Sequence, residues 1–144
     1  MNIAYFRKSN RSFAETLKVL EEKAKENQFK ILGKTDLQND LGKLIHLCQE
    51  NWISNLITSD KKLFGFLPCS ILIVKKNNEV YVGVSDPSLL GKLTNNPVAI
   101  EISSKANKIL KELVNQAANV GPLKVKQVKL YATMSCPYCK MEAS

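Results

Sequence analysis

The stretch SILIVKKNNEVYVGV, residues 70 to 84, leaves little freedom about what it folds into. Two runs rich in β-branched and aromatic residues flank a short polar joint, the pattern of an antiparallel hairpin. The joint, KNN, leaves several turn registers open. Pro68 has no backbone N–H to give to a ladder, so it belongs at the beginning of the first run and not inside it.

The rest of the chain supplies partners for that hairpin. NIAYFR, from residue 2, suits an opening strand. The period then changes, and Phe13, Leu17, Leu20 and Ala24 recur on one helical face. Ser12 and Glu15 have capping-box spacing at its start. FKILGKTDL reads as the next strand, with Gly33 marking a bulge or a close backbone approach. KLIHLC is a third strand, and Trp52, Ile53, Leu56 and Ile57 form a stripe on a short helix ending near Asp60.

After the hairpin, Asp86 and Pro87 suit the N-cap and first position of a short helix through Leu90. The NNP tripeptide from residue 95 is a turn signal. The last strong helix runs from about Ser103 to Asn119, burying Ala106, Ile109, Leu110, Leu113, Val114 and Ala117, and closing at Gly121 and Pro122. The order β-α-β-β-α-β-β-α predicts an α+β fold: one two-layer domain over residues 1–120, a mostly antiparallel sheet with helices on it, and a C-terminal extension over 121–144.

Charge and composition narrow the function classes. Lysine and arginine number 21 against 13 acidic residues, a formal net charge of +8. The excess is mostly lysine spread along the chain, and only Arg7, Lys8 and Arg11 form a compact basic group. A cationic surface of this kind needs no polyanion, and no RNA-binding aromatic signature or paired zinc-finger spacing is present, so no nucleic-acid partner is expected. No apolar run approaches the roughly 20 residues that span a bilayer, so no membrane partner is expected and a cytoplasmic location is. In that compartment four cysteines read as thiols, redox groups or metal ligands, not as a disulfide framework. Walker A, dinucleotide-binding glycine and serine-nucleophile patterns are lacking.

Cys48 and Cys69 are the chemical candidates in the body of the chain, and both sit beside strands. His46 lies two residues before Cys48, on the same side of an extended strand. The three residues offer the donor types that zinc or copper accepts, but no C-x-x-C pair anchors them, and the alternative is that both cysteines act as small buried hydrophobes. No metal site is assigned. Asp86 has a structural explanation as a cap. Trp52 and the LFGFL run from residue 63 are candidates either for the core or for the interface of a homodimer.

The helix at SFAETLKVLEEKAKE, a cysteine after a short strand, LPC before the hairpin and DP after it together resemble the DUF302 family from about Ile3 to Asn119. Leu67, Pro68 and Cys69 fall on the family's LPC-type motif, Asp86 and Pro87 on its DP step, and Cys48 on its earlier cysteine. Gln49 and Glu50 stand where the family usually has asparagine and proline. The resemblance implies a compact α+β domain with dimers among its members, and no settled activity.

The C-terminal VKLYATMSCPYCKM resembles the start of a glutaredoxin. A strand from Val128 to Tyr131 leads into Cys136–Pro137–Tyr138–Cys139. A cysteine at a helix N-terminus is stabilised as thiolate by free backbone N–H groups, so Cys136 is the expected attacking thiol and Cys139 the resolving one. Pro137 suits the first helical position and Lys140 adds positive charge. Ser144 ends the chain before the strands and glutathione-binding segment of a glutaredoxin would follow. The expectation is therefore the N-terminal part of a longer fusion: this fragment inactive, its parent a thiol–disulfide oxidoreductase acting on protein or glutathione disulfides, with glutathione as co-reactant and no other cofactor. The alternative is a dimerisation or ligand- and metal-binding module without redox catalysis.

Overall fold

Asn77 and Asn78 settle the hairpin's register. Both adopt positive φ, at 53° and 67°, which asparagine tolerates better than most residues. The pair forms the two-residue primed turn whose twist matches the flanking strands, and Lys76 faces Glu79 across it. The computed structural model describes residues 3–66 and 69–122. Pro68, Cys136 and Cys139 lie outside the described residues, and with them the proposed glutaredoxin-like segment.

Five strands make one antiparallel sheet: β1 (Ala4–Lys8), β2 (Lys30–Asp36), β3 (Gly42–Cys48), β4 (Cys69–Lys76) and β5 (Glu79–Ser85), in the order β1-β5-β4-β3-β2. Helices α1 (Phe13–Glu26), α2 (Glu50–Ser59), α3 (Leu89–Leu93) and α4 (Pro97–Ala118) connect and cover them. The fold is α+β, as the element order predicted. Alternation along the strands sends Ile45, Leu47, Ile71, Ile73, Val82 and Val84 to the helical side, where they pack against Leu20 of α1 and Leu110, Leu113 and Val114 of α4. Full burial of such side chains stabilises the fold by roughly 1.5–3 kcal/mol each.

Gly33 lies at a bulge: Ile31 faces Leu47 but Gly33 already faces His46, leaving Leu32 extra and exposed on edge strand β2. Gly42 and Gly83 are needed for space. A Cβ on Gly42 would sit 2.1 Å from the backbone oxygen of Ile73, and one on Gly83 would sit 2.2 Å from the Phe6 ring.

Two helix boundaries differ from the sequence expectation. The last helix begins at Pro97, not near Ser103, because Asn96 accepts from the N–H groups of Val98 and Ala99 at 2.8 and 3.1 Å and Pro97 follows as a helix-starting residue. It ends at Asn119 in the left-handed conformation, φ 58°, so Asn119 and not Gly121 closes it. The short helix after the hairpin begins at Leu89. Asp86 is not its cap residue; its carboxylate instead accepts from the Ser88 N–H at 2.9 Å, folding the DP step into a turn.

The basic group near the N-terminus is engaged within the chain. Arg7 donates to the Gly121 carbonyl at 2.7 Å and Arg11 to that of Gln116 at 3.4 Å, so both cations meet the carbonyl-rich end of α4. Lys8 pairs with Glu79. Among the described residues no helix is long and apolar enough to cross a membrane.

Candidate functional site

β3 and β5 run in the same direction, so their C-terminal ends and the start of β4 meet at one edge of the molecule. Helices α2, α3 and the first half of α4 close over that edge. They leave a cavity of about 230 Å³. Its floor is Leu47, Cys69 and Val84 from the strands. Its walls are Trp52, Ile53 and Leu56 from α2, Leu89 and Leu93 from α3, and Ile102, Ala106 and Leu110 from α4. Cys48, Gln49, Ser85, Asp86 and Pro87 complete the lining. An apolar cavity of roughly 150 Å³ holds a benzene ring, so this one has room for a somewhat larger body.

Local sequence explains each wall. The stripe Trp52, Ile53, Leu56 puts an apolar face of α2 toward the sheet, and Trp52 is fixed edge-on against Phe29 at 5.5 Å between ring centres. Trp52 is therefore part of the packed interior and of the cavity wall. The DP turn is tied to α4 by the Ser103 hydroxyl, which donates to the Pro87 carbonyl at 2.9 Å. The end of α2 is tied to the start of α4 through Asn96 and Ser59, 2.7 Å apart.

The two body cysteines share the cavity. Leu47 is the cross-strand partner of Cys69, and Cys48 is the next residue on β3. Both are free thiols. Burial pushes the Cys48 thiol up, Glu50 adds to the shift, and Lys30 opposes it. Burial also pushes the Cys69 thiol up, with Cys48 adding to it. The shift is the reverse of that in an activated nucleophile, so both groups are held as neutral, weakly polar surface.

His46 is not brought to them. It pairs with Ser70, one residue along from the Leu47–Cys69 pair, so it faces the other side of the sheet from Cys69. There its ring nitrogens meet the Ser70 and Thr35 hydroxyls, each at 2.9 Å. Among the described residues, no group of three or more His, Cys, Asp or Glu side chains is placed to hold a metal. The three-donor set His46, Cys48 and Cys69 thus does not assemble, because Cys69 takes the face of its partner Leu47, opposite His46.

Asp86 is the charged member of the lining. Burial pushes its carboxyl up, but the Ser88 N–H and hydroxyl, at 2.9 and 2.8 Å, and the nearby Lys111 and Lys92 outweigh that and hold it below its ordinary value. It is ionised at neutral pH.

The sequence reading missed α3 and the first turns of α4 as site elements. The signal was present: Val98, Ala99 and Ile102 continue the spacing of the Ala106 stripe upstream, behind an asparagine–proline start.

Comparison with known proteins agrees with this architecture. The family described as domain of unknown function DUF302 matches residues 5–117. The crystal structure of an uncharacterized conserved DUF302 protein from Bacillus stearothermophilus superposes with a TM-score of 0.73 at 20% identity, covering 80% of this chain and 98% of that one. At that identity the likeness is one of fold. No curated protein matches the chain. With the family's pattern running from Tyr5 to Ala117 through every strand and helix of the sandwich, this chain belongs to the DUF302 family.

Proposed function

We propose that residues 3–122 act as a binding module for a small, largely apolar molecule, held in the cavity between the sheet edge and helices α2, α3 and α4. The observation that carries this reading is the cavity itself: about 230 Å³ walled by leucine, isoleucine and tryptophan, with only a few polar groups converging on it. The raised thiols support binding over catalysis in this domain, because neutral thiols are poor nucleophiles and suit an apolar wall.

Trp52 is the only tryptophan and lines the cavity, so it reports on occupancy. A hydrophobic naphthalene dye titrated into the protein should quench or shift Trp52 emission saturably. Ala106→Phe places a ring in the space and should abolish that response while circular dichroism and Tm show an intact fold. Dye binding that survives Ala106→Phe in a folded protein rejects the reading.

The CPYC motif favours a second activity carried beside this module. Under this proposal Cys136 attacks the sulfur of a protein or glutathione mixed disulfide, releasing one thiol, and Cys139 displaces the other. The protein is left with a Cys136–Cys139 disulfide that glutathione reduces. In this proposal the activity belongs to the longer fusion protein, with the present chain expected to turn over little or not at all. Initial rates of mixed-disulfide reduction by the longer protein and its variants test it. Cys136→Ser should remove the activity, while Cys48→Ser and Cys69→Ser should leave it. Activity retained by Cys136→Ser rejects this part and leaves the binding module untouched.

A further inference from the structure

We propose that the cavity is selective for a small amphipathic amine, its hydrocarbon body lying against Trp52, Leu56 and Leu89 and its ammonium group on the carboxylate of Asp86. The inference rests on the binding reading above and adds the chemistry of the ligand's head.

Among the described residues lining the cavity, Asp86 is the only one that is charged. Both donors of Ser88 fall on its Oδ1. Asp86 is partly buried at the cavity wall, and a ligand ammonium placed there adds a charge-assisted hydrogen bond to the ionised carboxylate. Lys92 of α3 and Lys111 of α4 also act on this carboxylate, and they help keep it ionised. Neither lysine lines the cavity, and Lys111 holds its ammonium 5.4 Å above the Tyr5 ring. The other polar lining groups do not compete for a cation: the thiols of Cys48 and Cys69 are neutral, and the Ser85 side chain carries no charge.

One feature of the cavity points the other way. The N-terminus of α2 opens beside it at Gln49, and a helix N-terminus favours anions. That end is already answered within the chain. The Gln49 side chain accepts from the Asn51 N–H at 3.2 Å, and Glu50 stands in the first turn. Glu50 is paired with Lys30, so the charge that lines the cavity among the described residues is the carboxylate of Asp86.

The test uses three probes of one shape: 4-phenylbutylamine, 4-phenylbutan-1-ol and 4-phenylbutanoate, titrated calorimetrically into the full chain. The amine should bind about tenfold tighter than the alcohol, the advantage of one charge-assisted hydrogen bond, and the carboxylate should bind weakest. Asp86→Asn keeps an amide oxygen for the two Ser88 donors and should preserve the turn. It should remove the tenfold preference for the amine over the alcohol, read as the ratio of the two affinities in the variant. Equal binding of amine and alcohol by the unaltered protein overturns the proposal while leaving the cavity reading standing, and needs no variant to be folded. Preference for the carboxylate overturns it in favour of the α2 terminus. If none of the three binds, the cavity reading fails as well.

Discussion

The sheet carries two apolar clusters that are packed by different means. The larger one joins Leu20, Phe29, Ile45, Leu47, Ile71 and Ile73 to Leu110, Leu113, Val114 and Ala117, with long helices lying flat on the strands. The smaller one has Leu56 and Leu63 from short segments and Ala99 and Ile102 from the first turns of α4, and Trp52 touches both. The cavity opens where the first gives way to the second. The long helices present a continuous stripe that interlocks with alternating strand residues. α2 and α3 are short, and the cavity lies between them, the strand ends and α4. The end of α4 sharpens the contrast. There Arg7, Asn10 and Arg11 meet the carbonyls of Gly121, Asn119 and Gln116, and Tyr5 donates to Asn115 at 2.7 Å. One end of the molecule is stitched, and the other is hollow.

Truncating one leucine in each cluster gives the largest test. Leu113 is 0% exposed and is not among the residues lining the cavity, so Leu113→Ala should cost about 3–4 kcal/mol in urea unfolding. Leu56 is 1% exposed but borders the hollow, so it has fewer atoms to lose contact with. Leu56→Ala should cost about 2 kcal/mol and should weaken dye binding, whereas Leu113→Ala should leave dye binding unchanged. The two costs should add in the double variant, since the residues belong to separate clusters. A larger loss for Leu56→Ala than for Leu113→Ala would break the contrast.

Removing the cap of α4 is the next smaller change. Asn96→Ala leaves the N–H groups of Val98 and Ala99 without their side-chain acceptor and removes the link to Ser59. A loss of about 1 kcal/mol is expected, read as a shift in urea midpoint, together with faster amide exchange confined to the first turn of α4 and the end of α2. Exchange that quickens equally at the Arg7-bound end of the helix would show that the two ends are not independent.

The smallest expected effect is the acid response of Asp86. Its folded carboxyl lies below the ordinary 3.8, so its contribution to stability is fully present above that value and is lost as pH falls through the lowered one. Urea midpoints measured from about pH 6 to about pH 3 should fall slightly more steeply for the unaltered protein than for Asp86→Asn. Identical slopes would mean that the Ser88 turn does not favour the ionised form.

Local pattern determined a great deal here. Alternation at SILIVKK and EVYVGV fixed two strands and their inward faces, and Ser12, whose hydroxyl accepts from the Glu15 N–H at 3.2 Å, fixed the start of α1. Ala106, Leu110, Leu113, Val114 and Ala117 were readable as a buried stripe because residues three and four apart share a helix face. The same rule misled where local signals compete. Asparagine–proline at residues 96 and 97 serves equally as a turn or as a helix start, and only packing of Ala99 and Ile102 against Leu56 selects the helix. Asp86 likewise offers one carboxylate to either a cap or a turn, and Ser88 takes it, next to Pro87, whose carbonyl is bound by Ser103 of α4.

The site itself was a tertiary decision. Cys48 and Cys69 were legible as neighbours of strands, but sharing a cavity required β3 and β4 to pair with Leu47 opposite Cys69. Alternation in KLIHLC sets His46 opposite Ile45 and Leu47, but only the register with β4 put Cys69 on the face of Leu47 and so away from His46. Strand order β1-β5-β4-β3-β2 was also beyond the sequence pattern, because periodicity reports which face of a strand is buried and carries no information about which strand lies beside it. A hollow is a property of surfaces that fail to meet. It exists only once α2, α3 and α4 are set against the sheet edge, since each lining residue taken alone is an ordinary apolar side chain with a core to join.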